Sequence, residues 1–248
     1  MKENRFYFNK ESLVNNKVIL TDDEFRHLSL VLRKRAGDSV VLFCGDGFDY
    51  NATITNITKK EAELVIKEKV KNETESSVDL TIFQALAKGE KLSLIAQKLT
   101  EIGASEMLVF SSKFCDVTEK TSKLDKLNKV VINASKQCGR SKLLKTNESV
   151  LTFNQMIERF RDYDLVLCAY ENEENLHISS LLNKFKGNKI AVIIGPEGGF
   201  SADEVKTISG NGAKVVTLGK RILRTETAAI FSASAVISQL EGRKDYEG

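Results

Sequence analysis

The sequence predicts an α/β fold built on a parallel sheet and preceded by a small β-barrel. Three observations carry that expectation. The first seventy or so residues hold short β-branched runs around a single helix, whereas the remainder alternates strands with helices. The segment 71–77, KNETESS, has no apolar side chain and reads as a linker between the two patterns. Leu165–Tyr170, Ile190–Ile194 and Val215–Leu218 are apolar without alternation, as strands buried on both faces are. With 248 residues, of which 42% are hydrophobic, there is material for two cores. The domains are therefore expected at 1–72 and 73–248.

Element by element, Thr21-Asp22-Asp23-Glu24 has the spacing of a capping box, which opens a short helix with Phe25, Leu28, Val31 and Leu32 on one side. Gly37 is placed to end it. Val40–Cys44, Phe48–Ile57 and Ala62–Val70 are strands, with Asp46-Gly47 as a hairpin signal between the first two. Beyond the linker, Val78–Leu86 is a strand and Glu90–Ile102 a helix closed by Gly103. Glu106–Phe110 is the next strand, and Ser122–Cys138 a helix ending at Gly139. The three apolar runs follow, separated or followed by helices near 175–185, 202–209 and 226–240.

Composition narrows the function. No apolar run approaches the roughly 20 residues that span a bilayer, and the charged start MKENRFYFNKES lacks the apolar stretch of a signal peptide. A cytoplasmic protein is expected. Cys44, Cys115, Cys138 and Cys168 lie far apart, which suits reduced, mostly buried thiols better than disulfides or a metal site. His27 and His177 have no second ligand at metal-binding spacing, so no metal is expected. The net charge is only +3, but nine Lys/Arg stand against three acids between Lys113 and Lys145. Such a stretch suits a phosphate backbone, and it equally suits a solvated helix face.

Chemistry is expected where loops leave the carboxyl ends of the parallel strands. Three exits stand out. The first is Leu167-Cys168-Ala169-Tyr170-Glu171. The second, Ile194-Gly195-Pro196-Glu197-Gly198-Gly199-Phe200, holds the sole proline and runs into a capping box at Ser201-Ala202-Asp203-Glu204. The third is Leu218-Gly219-Lys220-Arg221-Ile222-Leu223-Arg224-Thr225, leading into an Ala-rich helix. Neither a Walker loop nor a G-x-G-x-x-G is present. Ile222 and Leu223 among charged residues suit the apolar wall of a ligand site, with Arg221 and Arg224 reaching elsewhere; packing against a second subunit is the other reading.

Taken together, I-G-P-E-G-G-F-S-A-D-E and L-G-K-R-I-L-R-T-E-T-A resemble the 16S rRNA uridine-N3 methyltransferase family, often called RsmE, of the SPOUT superfamily of knotted methyltransferases. Arg5, His27-Leu28…Val31-Leu32-Arg33…Gly37-Asp38, Gln97-Lys98…Glu101-Ile102-Gly103 and Gln137-Cys138-Gly139-Arg140 agree with it, so the resemblance covers nearly the whole chain. It departs at Val109 and Leu144, where prolines are usual, and at Lys113-Phe114, where Glu-Arg is common; these positions bear on the surface that meets RNA or a partner.

The resemblance implies a PUA-like barrel, a SPOUT domain whose C-terminal trefoil knot holds S-adenosyl-L-methionine, a homodimer, and 16S rRNA of the small ribosomal subunit as substrate. Leu167, Ala169, Ile194, Gly195, Gly199, Leu218, Gly219, Ile222, Leu223 and Thr225 are then expected around the cofactor. Glu197 would accept or orient the uridine N3 proton, or else cap the helix at Ser201, and Arg224 would stabilise charge on the base. Arg5, Arg33, Lys34, Gln137 and Arg140 are expected to hold RNA. Arg33 has an alternative partner in Asp22 or Asp23. The competing readings are a related enzyme that methylates another RNA, such as a tRNA ribose 2′-hydroxyl, and a non-catalytic RNA-binding protein.

Overall fold

The computed structural model describes residues 4–115 and 124–244. The chain forms two compact units, one running to Glu75 and including Ser135–Leu143, the other comprising Ser76–Ala134 and the chain from Leu144 onward.

In the first unit, β1 (Arg5–Tyr7), β2 (Lys17–Leu20), β3 (Ser39–Phe43), β4 (Phe48–Ile57) and β5 (Ala62–Lys71) make a curled half-barrel in the order β1-β3-β4-β5-β2. Only the β1–β3 pair is parallel. Alternation decides which side chains turn inward: Tyr50, Ala52 and Ile54 of β4 are buried with Phe6, Val18, Leu42 and Leu64. The hairpin between β3 and β4 turns on Gly45 and Gly47, both with φ near +90° (+89° and +86°), a region that disfavours side chains. Strands β1 and β2 were not legible in the sequence, being three and four residues long.

Helix α1 (Asp22–Arg26) continues into one π-helical turn, His27–Val31. The expected capping box does not form. Asp22 adopts φ +49°, the Thr21 hydroxyl bonds the Asp22 carboxylate, and Glu24 instead accepts from Lys136 at 2.8 and 3.0 Å and from the Tyr7 N–H. Phe25 and Leu28 are buried as expected, but Val31 is not, because the π turn rotates it outward with Leu30. The helix also ends early, at Leu32 and a left-handed Arg33 (φ +52°); Gly37, four residues beyond, instead donates to the Ile54 carbonyl.

KNETESS is not a free linker. Asn72 is buried and donates to the Asp49 carboxylate and the Gly139 carbonyl, while Glu75 takes Arg140, the Ser141 N–H and the Lys142 N–H. At Asn72 and Glu75 its polarity serves hydrogen bonds within the fold, while Lys71, Glu73, Thr74 and Ser77 stay exposed.

In the second unit β6 (Asp79–Ala85), β7 (Glu106–Phe110), β8 (Lys145–Thr146), β9 (Leu165–Ala169), β10 (Lys189–Ile194) and β11 (Lys214–Val216) form one parallel sheet, ordered β11-β9-β10-β6-β7-β8. Around it lie α2 (Lys91–Ile102), α3 (Asp125–Cys138), α4 (Phe153–Glu158), α5 (Ile178–Leu182), α6 (Ala202–Gly210) and α7 (Thr225–Lys244). The Ser122 start expected for α3 lies outside the described residues. Gly103 closes α2 in the left-handed region at φ +106°. Strand β10 pairs with β9 on one side and β6 on the other, and α7 packs on α2, β6 and β10. The loop leaving β10 therefore emerges between neighbours, at the crevice where parallel sheets bind ligands. All four thiols are free, but only Cys168 is buried; the other three are half-buried, so the expected burial holds for one.

Candidate active site

The three loops leaving β9, β10 and β11 meet in a cleft of about 390 Å³. Backbone needs shape it. Gly199 has φ +70°, and a Cβ there would stand 2.5 Å from a Glu171 carboxylate oxygen; its N–H closes a turn onto the Pro196 carbonyl at 3.0 Å. Gly219 has φ +120°, yet a Cβ at that position would meet nothing within 4 Å, so its requirement is conformational and it leaves the cleft open.

Nine of the ten residues expected at the cofactor line this cleft: Ala169, Ile194, Gly195, Gly199, Leu218, Gly219, Ile222, Leu223 and Thr225. Leu167 does not. It is wholly buried within β9, two residues short of the strand's end, where the neighbouring strands cover it. Arg221 and Arg224, both expected to reach elsewhere, line the cleft as well. The Cys168 thiol lies in the core beneath; burial, then the Glu171 carboxylate, push it up, so it stays an uncharged packing group.

Thr225 fastens the site together. Its buried hydroxyl donates to the Gly195 carbonyl at 2.7 Å and accepts from the Gln84 amide at 2.9 Å. The end of β6, the loop after β10 and the start of α7 are thereby joined at one oxygen. Because Gln84 donates, the single hydroxyl proton must go to Gly195, which fixes the direction of the tie.

Glu197 accepts from the Lys91 ammonium at 2.8 Å and the Lys88 N–H at 3.0 Å. Burial pushes its carboxyl up, but those hydrogen bonds and the Lys91 charge outweigh it and hold the group below its ordinary value. It does not cap α6: Ser201 and Glu204 do so reciprocally, as the sequence predicts. Arg224 is exposed at the cleft, and its guanidinium has no bonded partner among the described residues. Ile222 is 87% exposed, a large apolar surface left beside the cleft.

The residues expected to hold RNA divide. Arg5 is not available: its guanidinium pairs with Asp49 at 2.8 and 3.0 Å and donates to the Ser141 hydroxyl, with its side chain only 9% exposed. Arg140 is likewise buried on Glu75. Both were read as RNA contacts because a basic residue carries no mark of burial in sequence. Arg33 is exposed and takes neither Asp22 nor Asp23, Lys34 is half-exposed, and Gln137 is exposed.

A family model for an RNA methyltransferase domain matches residues 74–237, and one for an RNA methyltransferase PUA domain matches residues 20–67. The chain is 32% identical over 240 residues to the ribosomal RNA small subunit methyltransferase E of Rickettsia conorii, covering 95% of this chain and 96% of that protein. This chain belongs to the ribosomal RNA small subunit methyltransferase E family. The Bacillus subtilis member is 30% identical over 232 residues, covering 90% of each chain. The crystal structure of the Neisseria gonorrhoeae member, bound to S-adenosyl methionine, superposes with a TM-score of 0.86 at 28% identity over 95% of this chain and 97% of that one.

Sequence reading misses Gln84, Lys91 and Thr217 at or beside the cleft. A Gln inside an apolar strand was the available signal for the first, since a buried amide requires partners. The departures from the family pattern also find their places. Val109 and Leu144 are buried core residues, away from any surface. Phe114 packs against Gly198, where a Cβ would come within 2.9 Å, and the Lys113 N–H donates to Glu204, so this pair braces the loop after β10.

Proposed function

We propose that this chain transfers a methyl group from S-adenosylmethionine to N3 of a uridine in 16S rRNA, acting in the cytoplasm as a homodimer on the small ribosomal subunit. The observation that carries this reading is the cleft at the exits of β9, β10 and β11, with an unpaired Arg224 at its edge. Its volume suits a small-molecule site. Ile194, Leu218, Ile222 and Leu223 offer apolar walls for a purine, and the bare backbone at Gly195 and Gly219 admits close approach. S-adenosylmethionine supplies a methyl group on a sulfonium, whose departure as a neutral thioether needs no metal.

The chain's own residues then orient the acceptor and manage charge. Uridine N3 must lose its proton, and the Watson–Crick edge must be unpaired to reach the cleft. The Arg224 guanidinium stabilises the negative charge on the uracil oxygens as the proton departs to solvent. Glu197, held below the ordinary carboxylate range, has too little proton affinity to deprotonate a weakly acidic imide; its part is to anchor the loop through Lys91 and Lys88. In this reading residues 1–72 hold RNA, residues 73–248 carry the transfer, the passage from β10 to α7 forms the trefoil knot, and the exposed Phe231 meets the second subunit.

The test is methylation of 16S rRNA in small subunits with labelled S-adenosylmethionine, followed by primer extension. An N3-methyl blocks base pairing and stops the polymerase at one uridine. Label on a ribose 2′-hydroxyl, or label on tRNA alone, would assign the chain a different target.

A further inference from the structure

The arginines of the first unit, with Lys34 and Lys136 beside them, fall into two groups. Arg5, Lys136 and Arg140 are each held by a carboxylate, of Asp49, Glu24 and Glu75 respectively. Arg26, Arg33, Lys34 and Arg35 have no bonded side-chain partner among the described residues, and the three arginines are exposed. The span 26–35 holds these four cations and no carboxylate. The nearest acids in the chain are Asp22, Asp23 and Glu24 before it and Asp38 after it, and Glu24 is held by Lys136. Asp22 is bonded by the Thr21 hydroxyl, and Asp38 accepts the Arg35 N–H.

Between these cations stand Leu30 and Val31, 71% and 69% exposed, while Leu28 is fully buried. An ordinary helix would not set two consecutive large apolar residues outward beside an inward one two positions earlier so easily. The π-helical turn His27–Val31 does it, closed by the Leu32 N–H on the His27 carbonyl at 3.0 Å. Arg33 then takes a left-handed φ of +52°, a conformation that L side chains resist. An apolar pair rimmed by unpaired charge, set out by a locally strained backbone, marks a contact surface.

We propose that this turn docks on the RNA substrate, with Arg26, Arg33, Lys34 and Arg35 on phosphates and Leu30 and Val31 against the face of an unstacked base. The charge selects the occupant: four unpaired cations repel a second copy of the same turn and complement a polyanion. The apolar pair selects RNA in single-stranded form, since phosphates alone give it no partner. The inference rests on the rRNA reading above and assigns the contact to residues other than Arg5 and Arg140.

Two double variants of the full-length protein separate the components, in filter binding to transcribed 16S rRNA across a salt series. Arg33→Gln with Arg35→Gln is expected to flatten the dependence of log K on log salt by about 1.4 to 1.8, for two phosphate contacts. Leu30→Ser with Val31→Ser is expected to weaken binding about tenfold at every salt concentration, with the slope unchanged. Both variants should bind S-adenosylmethionine as the wild type does, by calorimetry. Wild-type RNA affinity in the Leu30/Val31 variant of a protein that still methylates rRNA overturns the surface and leaves the function standing. A wild-type protein that binds S-adenosylmethionine but no rRNA overturns both.

Discussion

At the scale of single residues, Arg224 and Glu197 show how environment sorts charged groups at one site. Arg224 is exposed and unpaired at the cleft, whereas Glu197 is committed to Lys91 and Lys88. Arg224→Ala should therefore slow methyl transfer by about 2–4 kcal/mol of transition-state stabilisation, with S-adenosylmethionine affinity unchanged. Single-turnover rates beside calorimetric affinities will separate these; full activity in the variant would remove the arginine from the chemistry. Glu197→Gln should keep most of the rate, since an amide oxygen still accepts from Lys91. Its signature lies in stability. A carboxyl whose folded value is lowered stabilises the fold above the ordinary carboxylate range, and that contribution fades as pH falls through the lowered value. The wild-type melting temperature should thus drop more steeply than that of Glu197→Gln between about pH 5 and about pH 3. Parallel curves would mean that the pair contributes nothing.

At the scale of elements, the site is made by a join rather than by a motif. The Thr225 hydroxyl connects the start of α7 to the loop after β10 and, through Gln84, to the end of β6. Thr225→Val keeps the shape and removes both bonds, leaving the Gly195 carbonyl without this donor and the Gln84 amide with only the Ala85 carbonyl, at about 1–3 kcal/mol for each buried group left short. We expect lower thermal stability and at least a tenfold loss of S-adenosylmethionine affinity, with Thr225→Ser restoring both. Unchanged affinity in a destabilised Thr225→Val protein would limit the join to folding. Gly219→Ala tests the neighbouring wall differently. Its Cβ meets no protein atom within 4 Å, so a loss of affinity reports the φ of +120° or the close approach of the ligand, and a lower melting temperature without ligand reports the φ.

At the scale of the whole molecule, the chain returns to its first unit after building part of the second. Ser135–Leu143 supplies Ser141 to the Arg5–Asp49 pair, the Gly139 carbonyl to Asn72, and Arg140 to Glu75. Breaking one member of such a buried pair costs about 3–5 kcal/mol, because the remaining charge stays out of water. A fragment ending at Glu75 should accordingly fail to unfold cooperatively, and Arg5→Ala in the full chain should lower stability by that order while sparing the salt dependence of RNA binding. Circular dichroism melts and filter binding measure the two. A cooperative 1–75 fragment would show that the returning segment is dispensable.

Sequence by itself determined the parallel α/β pattern, most strand and helix positions beyond residue 78, and the loops that form the cleft. These are local matters: apolar runs, glycines at strand ends and the Ser201–Glu204 box act within a few residues of one another. Tertiary structure alone decided which charges are free. Arg5 and Arg33 are indistinguishable in sequence, yet one is buried on Asp49, 44 residues away, and the other stands in solvent. Leu167 and Ala169 belong to the same apolar run, and only the strand's end separates core from cleft. Glu24 had the spacing to cap its own helix, but Lys136 took its carboxylate from 112 residues away. Burial and pairing depend on which distant segments meet. A charged side chain goes wherever its desolvation is best compensated, and that partner is set by the packed fold rather than by its neighbours in the chain.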